Sequence, residues 1–314
     1  MTPAPALEKE CPALAGTGSS IRDPWLTFVW VCLILSGGLF LFAGMTLVWQ
    51  SLPVWRHEGW GFVLGGEWFY RHELFGAGAM LYGSVMVAAI AVLVAAPLGV
   101  LAAVFLSEYL PRRARWGMKL LVEALASVPS VVYGLFGVLV LREWLGVAVE
   151  PFGGWTGDTL LTAGLLLALM ALPLTVTLSD DALRGVASEQ REAARGLGLT
   201  RGETVLLVVL PQAWPAVMGA ALLALGRALG ETIAVFLVVG RMDNQLPEKW
   251  FSLEMIFQPG QTLTSKLGGP ETHLAAGDPL HWGAMMGLCL ILVTITVVCL
   301  GVARYLPVKG RGQA

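Results

Sequence analysis

The stretch SEQREAARGLGLTRGETVLLVVLPQAWPAVMGAALLALGRALGETIAVFLVVG, residues 188–240, decides the fold. Its first part carries Glu189, Arg191, Glu192, Arg195, Arg201 and Glu203 among helix formers, with Gly196, Gly198 and Gly202 as breaks. This predicts one or two short helices in water, turning at Gly198. The second part, after Leu210-Pro211, is an apolar run of helix length with Arg227 and Glu231 in its middle. A charge at that depth costs roughly 2.5–3.5 kcal/mol or more, so ionisable residues inside a span are functional by default. Arg227 and Glu231 are spaced i, i+4, which predicts a shared helix face and a pair. One reading makes the pair purely structural. The other points Arg227 at an anionic substrate, since guanidinium offers a planar fork of donors matched to phosphate-type oxygens.

Outward from this stretch, the composition is that of an integral membrane protein. The 314 residues are 56% hydrophobic and 13% charged, with a mean hydropathy of +0.71, where soluble domains carry about 25% charged residues. A net charge of −2 offers no footprint for nucleic acid. Cys11, Cys32, Cys289 and Cys299 stand apart, three of them in apolar runs, and read as small apolar core residues rather than metal ligands or disulfides. The chain contains no Gly-Lys dipeptide, so it has no phosphate-binding P-loop, and energy for any transport must come from a partner.

Along the chain, residues 1–24 read as a disordered tail without the features of a cleavable signal peptide. Trp25 to Trp49 is an uncharged first span with a Trp at each interface. A polar, aromatic-rich loop over 50–78 precedes a second span at 80–107, kinked at Pro97. Arg112, Arg113, Arg115 and Lys119 then cluster before a third span, Lys119 to Leu141, interrupted at Pro129. Glu123 lies four residues after Lys119 and is expected to pair with it at the interface. A Gly-rich loop (142–157), a fourth span (159–178), the charged region (179–203) and a fifth span (212–239) follow. A polar loop (240–281) and a sixth span (282–305) complete an all-α chain of six membrane helices. His57, His72, His273 and His281 read as exposed loop residues. With the tail placed on the cytoplasmic side, thirteen Lys and Arg fall there and six on the opposite side. That asymmetry predicts two cytoplasmic termini and a cytoplasmic 179–203 region.

Glu192-Ala193-Ala194, Gly198, Val208 and Leu210-Pro211, at their spacing, resemble the EAA motif of ABC-importer permeases. The longer segments FGAGAMLYGSVMVAAIAVLVAAPLGVLAAVFLSEYLP (75–111), VPSVVYGLFG (128–137), LGRALGETIAV (225–235) and DPLHWGA (278–284) occur in order. Together they are similar to the C-type permease subunits of bacterial high-affinity phosphate importers. The resemblance implies a type I permease core over 75–305, with Glu192, Ala193, Ala194 and Gly198 coupling to an ATPase and Arg227 and Glu231 on the substrate pathway. It also implies a second homologous permease, two ATP-binding subunits that hold ATP and Mg, and a periplasmic phosphate-binding protein. This chain would then be a non-enzymatic transport subunit, with no cofactor of its own, in the bacterial inner membrane. The alternatives are a permease for another oxyanion such as sulfate or molybdate, a proton-coupled secondary transporter using Glu231 and Glu123, and a membrane protein that signals phosphate status.

Overall fold

A computed structural model describes residues 24–150, 156–246 and 254–310. The tail expected at 1–24 lies outside these residues but for Pro24. The chain divides into two units, at Met45 and Thr46. The described part of the first unit is the beginning of helix α1 (Pro24–Glu58). Every side chain from Trp25 to Met45 is exposed, and the helix is apolar all round, as a lipid-facing span is. It runs nine residues past the expected end at Trp49, through Pro53, to Glu58.

In the second unit, α1 ends and α2 (Gly61–Leu64) leads into a hairpin of β1 (Trp68–Phe69) and β2 (Leu74–Phe75), with Trp68 opposite Phe75. Then come α3 (Gly78–Val104), α4 (Arg112–Ala126), α5 (Ser130–Phe136), α6 (Arg142–Val149) and α7 (Leu160–Arg184). After these follow α8 (Ser188–Gly196), α9 (Arg201–Thr204), α10 (Leu210–Leu229), α11 (Ile233–Val238) and α12 (Glu254–Phe257). The last are α13 (Leu263–Leu267), α14 (Glu271–Ala275) and α15 (Pro279–Gly310). Widened π turns extend α3 (Phe105–Tyr109), join α5 to α6 (Gly137–Leu141) and join α9 to α10 (Val205–Val209). Among the described residues six stretches are long and apolar enough to cross a membrane, the number the sequence predicts: 25–58, 78–109, 130–148, 160–184, 201–229 and 279–304.

Small residues set the packing. On α3, Ala88, Ala91, Ala95 and Gly99 are buried, and α7 answers with Ala163, Gly164, Ala168 and Ala171. A Cβ on Gly99 would sit 2.7 Å from the Thr175 methyl, so glycine is what permits that approach. Close backbone contact of this kind replaces the hydrophobic drive that lipid does not provide.

Several expectations need correcting. The third span begins at Ser130, not Lys119. Pro129 has no N–H to donate and holds the residue before it away from the α region, which separates α4 from α5. Lys119 does not turn to Glu123. Its ammonium lies 3.3 Å from Asp181 and 3.9 Å from Asp180, at the end of α7, and Arg115 meets Asp180 at 2.6 Å. Helix α4 therefore turns Arg115, Lys119 and Val122 inward and leaves Trp116, Leu120, Leu121 and Leu125 exposed. The charged region likewise starts later, because α7 continues through Asp180 and Asp181 to Arg184. Second, the fifth span is broken: α10 stops at Leu229, and Gly230, Glu231 and Thr232 separate it from α11. Third, the polar loops are largely built. Residues 142–149 are helical, and 240–281 contains α12, α13 and α14, with Val149 side-chain detail and residues 151–155 and 247–253 outside the described set. Cys32 is exposed rather than in a core, and Cys11 lies outside the described residues.

Candidate functional site

The EAA-type segment forms helix α8, followed by a turn at Gly198 with φ +88. A residue with a Cβ would be strained there, which is why glycine stands at the turn. Thr200 then opens α9 with a capping box: its side chain accepts from the Glu203 N–H, and the Glu203 carboxylate accepts from the Thr200 N–H. One short helix, α8, forms before the turn at Gly198, whereas α9 after it runs on through the π turn into α10, so that the fifth span starts at Arg201 rather than at 212. The faces of α8 are unequal. Ala194 is buried, whereas Glu189, Gln190, Glu192, Ala193, Arg195 and Leu197 are exposed, Leu197 at 83%. Glu192 and Ala193 thus face outward, available to a partner, while Ala194 seats the helix on the spans. Gly198 holds the turn.

Arg191 faces inward beside Ala194. Its guanidinium donates to the Glu108 carboxylate at 2.6 Å and to the Leu183 carbonyl at 2.6 Å. Glu108 lies in the π turn that ends α3, and its side chain is only 5% exposed. The next residue, Tyr109, has the Arg201 guanidinium 5.9 Å over its ring. Neither Glu108 nor Tyr109 stood out in the sequence. The signal was a lone acid and aromatic, Ser107-Glu108-Tyr109, closing an otherwise apolar run.

Arg227 and Glu231 are brought near each other by the break but do not form the expected pair. Among the described residues Arg227 makes no ion pair, and its side chain is exposed from the chain. Glu231 instead turns to the start of α11, where its carboxylate accepts from the Ala234 N–H at 3.4 Å. The physical reason is the end of the helix. Gly230 costs helix stability and Thr232-Ile233 are β-branched, so the i, i+4 geometry is lost between 227 and 231. What results is a cation in the last turn of α10, its fork not taken up by an acid among the described residues, beside a carboxylate engaged elsewhere.

At the opposite end of the spans lies a buried charged cluster that the sequence reading passed over as loop. Lys266, with its side chain 3% exposed, donates to Asp243 at 2.7 Å, pairs with Glu271, and lies 5.1 Å over the Trp68 ring. Glu271 accepts from the Trp68 indole at 2.6 Å and from His281 Nε2 at 3.0 Å. Burial alone would push the Glu271 carboxyl up, but the hydrogen bonds from Lys266, Trp68 and His281 outweigh it and hold the carboxyl below its ordinary range. His281, expected to be exposed, is buried and stacked on Tyr70 and Phe75, and His57 sits in the last turn of α1.

The pattern of six spans, a short charged helix before the fifth and a break after it has known counterparts. The family described as binding-protein-dependent transport system inner membrane component matches residues 95–307. The chain belongs to that family. Among relatives of this permease, the phosphate transport system permease protein PstC of Mesorhizobium japonicum is 37% identical over 88% of this chain and 86% of its own length. The protein of the same name from Pasteurella multocida is 35% identical, over 86% of this chain and 87% of its own length. Solved permeases share the fold at low identity. A chain of an alginate ABC transporter in complex with an alginate pentasaccharide-bound periplasmic protein has a TM-score of 0.57 at 12% identity, over 90% of this chain and 94% of that one. A chain of the MetNI methionine ABC transporter in an inward-facing conformation has a TM-score of 0.51 at 16% identity, over 75% of this chain and 94% of that one. The permease is thus a multi-pass membrane protein with the type I importer fold.

Proposed function

We propose that this chain is one permease subunit of an ATP-driven importer that carries inorganic phosphate across the bacterial inner membrane. The observation that carries the reading is Arg227: a guanidinium in the last turn of α10, at the break that follows the fifth apolar stretch, exposed from the chain and without an ion partner among the described residues. Such a group is stabilised when an oxyanion passes and offers it two acceptor oxygens. Phosphate is favoured over sulfate or molybdate by the names of the relatives. A second, homologous permease completes the pathway on the exposed faces. Two ATP-binding subunits hold ATP and Mg and receive α8 through Glu192, Ala193 and Leu197, and a periplasmic phosphate-binding protein delivers substrate from the other side. The termini and α8 are cytoplasmic. ATP-driven closure of the partner subunits displaces α8, reorients the spans and opens the pathway outward. A proton-coupled route through Glu231 loses ground because that carboxylate caps α11.

The test is phosphate uptake by Arg227→Gln and Arg227→Lys variants in membranes where assembly with the partner subunits is verified. Arg227→Gln should assemble and lose uptake, and Arg227→Lys should be impaired, because an ammonium is a point charge rather than a fork. Normal uptake by Arg227→Gln would move the pathway elsewhere.

A further inference from the structure

We propose that Arg191 and Arg201 are positioning residues that clasp α8 and α9 to the end of the second span, and that Glu108 and Tyr109 are the points through which movement of α8 reaches α3. The proposal rests on α8 being the ATPase-facing element, and goes beyond it by naming the receiver within this chain. Four observations carry it. First, among the described residues every hydrogen bond from an α8 side chain to the spans runs through the Arg191 guanidinium, to Glu108 and to the Leu183 carbonyl, both at 2.6 Å. Second, the bond is sheltered: the Arg191 side chain is 18% exposed and Glu108 5%, where a charge-assisted bond is strongest. Third, the attachment has two points on consecutive residues. Arg191 lies before the Gly198 turn and holds Glu108, while Arg201 lies after it and covers Tyr109 at 5.9 Å. A side chain at Gly202 would already touch the Tyr109 hydroxyl, at 3.7 Å. Two contacts on opposite sides of one turn resist rotation as well as separation, which a single bond cannot do. Fourth, the helices on both sides of the clasp carry π turns, at Phe105–Tyr109 and at Val205–Val209. Such turns hold one residue more than regular helix and recur at functional sites.

The arrangement divides α8 by role. Its outward residues meet a partner, and its inward Arg191 relays the result. Remaining attachment comes from the burial of Ala194 and the covalent chain, which fix position without fixing orientation.

The experiment uses the complete importer with its partner subunits in proteoliposomes, and reads three quantities: copurification with the ATPase, ATP hydrolysis, and phosphate moved per ATP hydrolysed. Arg191→Gln should keep copurification and hydrolysis while the phosphate-to-ATP ratio falls about tenfold, the size of effect a buried charge-assisted bond supports. Arg191→Lys should fall between, since it keeps the charge and loses one arm of the fork. The swap Glu108→Arg with Arg191→Glu should recover much of the ratio lost by either change alone. A normal ratio for Arg191→Gln overturns the proposal, and so does a swap no better than its single variants. Should Arg191→Gln fail to assemble, Glu108→Gln, which leaves α8 untouched, is read against the same ratio. Glu192→Lys serves as the separate probe of the underlying reading: it should lose copurification, whereas the clasp variants should not.

Discussion

Replacing Lys266 with Met should be among the most damaging single changes outside the six apolar stretches. The ammonium is buried, with Asp243 at 2.7 Å and Glu271 also in contact, and these acids are 35% and 16% exposed. Met fits the stem but leaves two carboxylates facing one another with no cation between them. Removing one partner from a buried ionic set costs about 3–5 kcal/mol, because the remaining charges stay desolvated. Glu271→Gln keeps an acceptor for the Trp68 indole and leaves Lys266 its bond to Asp243, so about 1–3 kcal/mol is expected. The triple change Lys266→Met, Asp243→Asn, Glu271→Gln strands no charge and should recover most of the loss. The assay is the thermal midpoint of purified protein in detergent, where Lys266→Met should lower it on the order of 10 °C. Acid adds an independent check. A carboxyl held below its ordinary 4.5 contributes stability that is fully present above that pH and is lost as pH falls through the folded value. Wild-type protein should therefore lose the Glu271 contribution only below pH 4.5, and Lys266→Met, by raising the folded value, should make that acid loss smaller. A Lys266→Met midpoint equal to wild type, or a triple variant no better than the single, would refute the reasoning.

Two further predictions follow from the same physics. Burial pushes the Asp158 carboxyl up despite the nearby Arg142 and Arg241, with Glu143 adding to the rise, so its ionised form costs stability above the folded value and that cost is gone below about pH 3.8. Asp158→Asn should accordingly match or exceed wild-type stability at neutral pH although it breaks the 3.3 Å pair with Arg142, and the two should converge in acid; a clear loss in the same thermal assay at neutral pH would show that the arginines win. For orientation, single cysteines at Leu274, 64% exposed, and at Ser188, also exposed, in a background lacking the native cysteines, should react with an impermeant thiol reagent from outside at 274 only. Thr262, in the middle of the same loop, would be a poor reporter because it is 2% exposed.

Six spans, their order and the turn at Gly198 are legible in the sequence because each rests on local physics: uninterrupted apolar length, or a glycine where the backbone must turn left-handed. The third span is misplaced because the reading counts Lys119 into an apolar run, while the acids that take up Arg115 and Lys119 lie at Asp180 and Asp181, across the fold. The 227–231 pair is misjudged for a related reason. Spacing predicts a shared face only while the helix lasts, and Gly230 with two β-branched residues ends it. The buried cluster could not be read at all. Its hydrogen bonds join Trp68 to Asn244 across 176 positions and to Glu271 across 203, and no window of sequence spans such a distance. Within the EAA-type segment, Ala194 is conspicuous as a letter, yet only the helix face reveals that it points inward while Arg191 bonds Glu108.

That long separation has a consequence for biosynthesis. The ribosome delivers Trp68 well before the residues that neutralise and bond its surroundings, and at about 5–20 residues per second a gap of 203 positions is roughly 10–40 s of synthesis. Through that interval the Trp68–Phe75 hairpin waits without its indole partner. The cluster closes only when Glu271 and then His281, at the head of the last helix, have emerged. A chain cut short before α15 thus leaves Glu271 without its imidazole donor, and a completed one hides it. The last helix to be made is also the seal on the first loop, so an unfinished copy differs from a finished one on the very surface that carries the cluster.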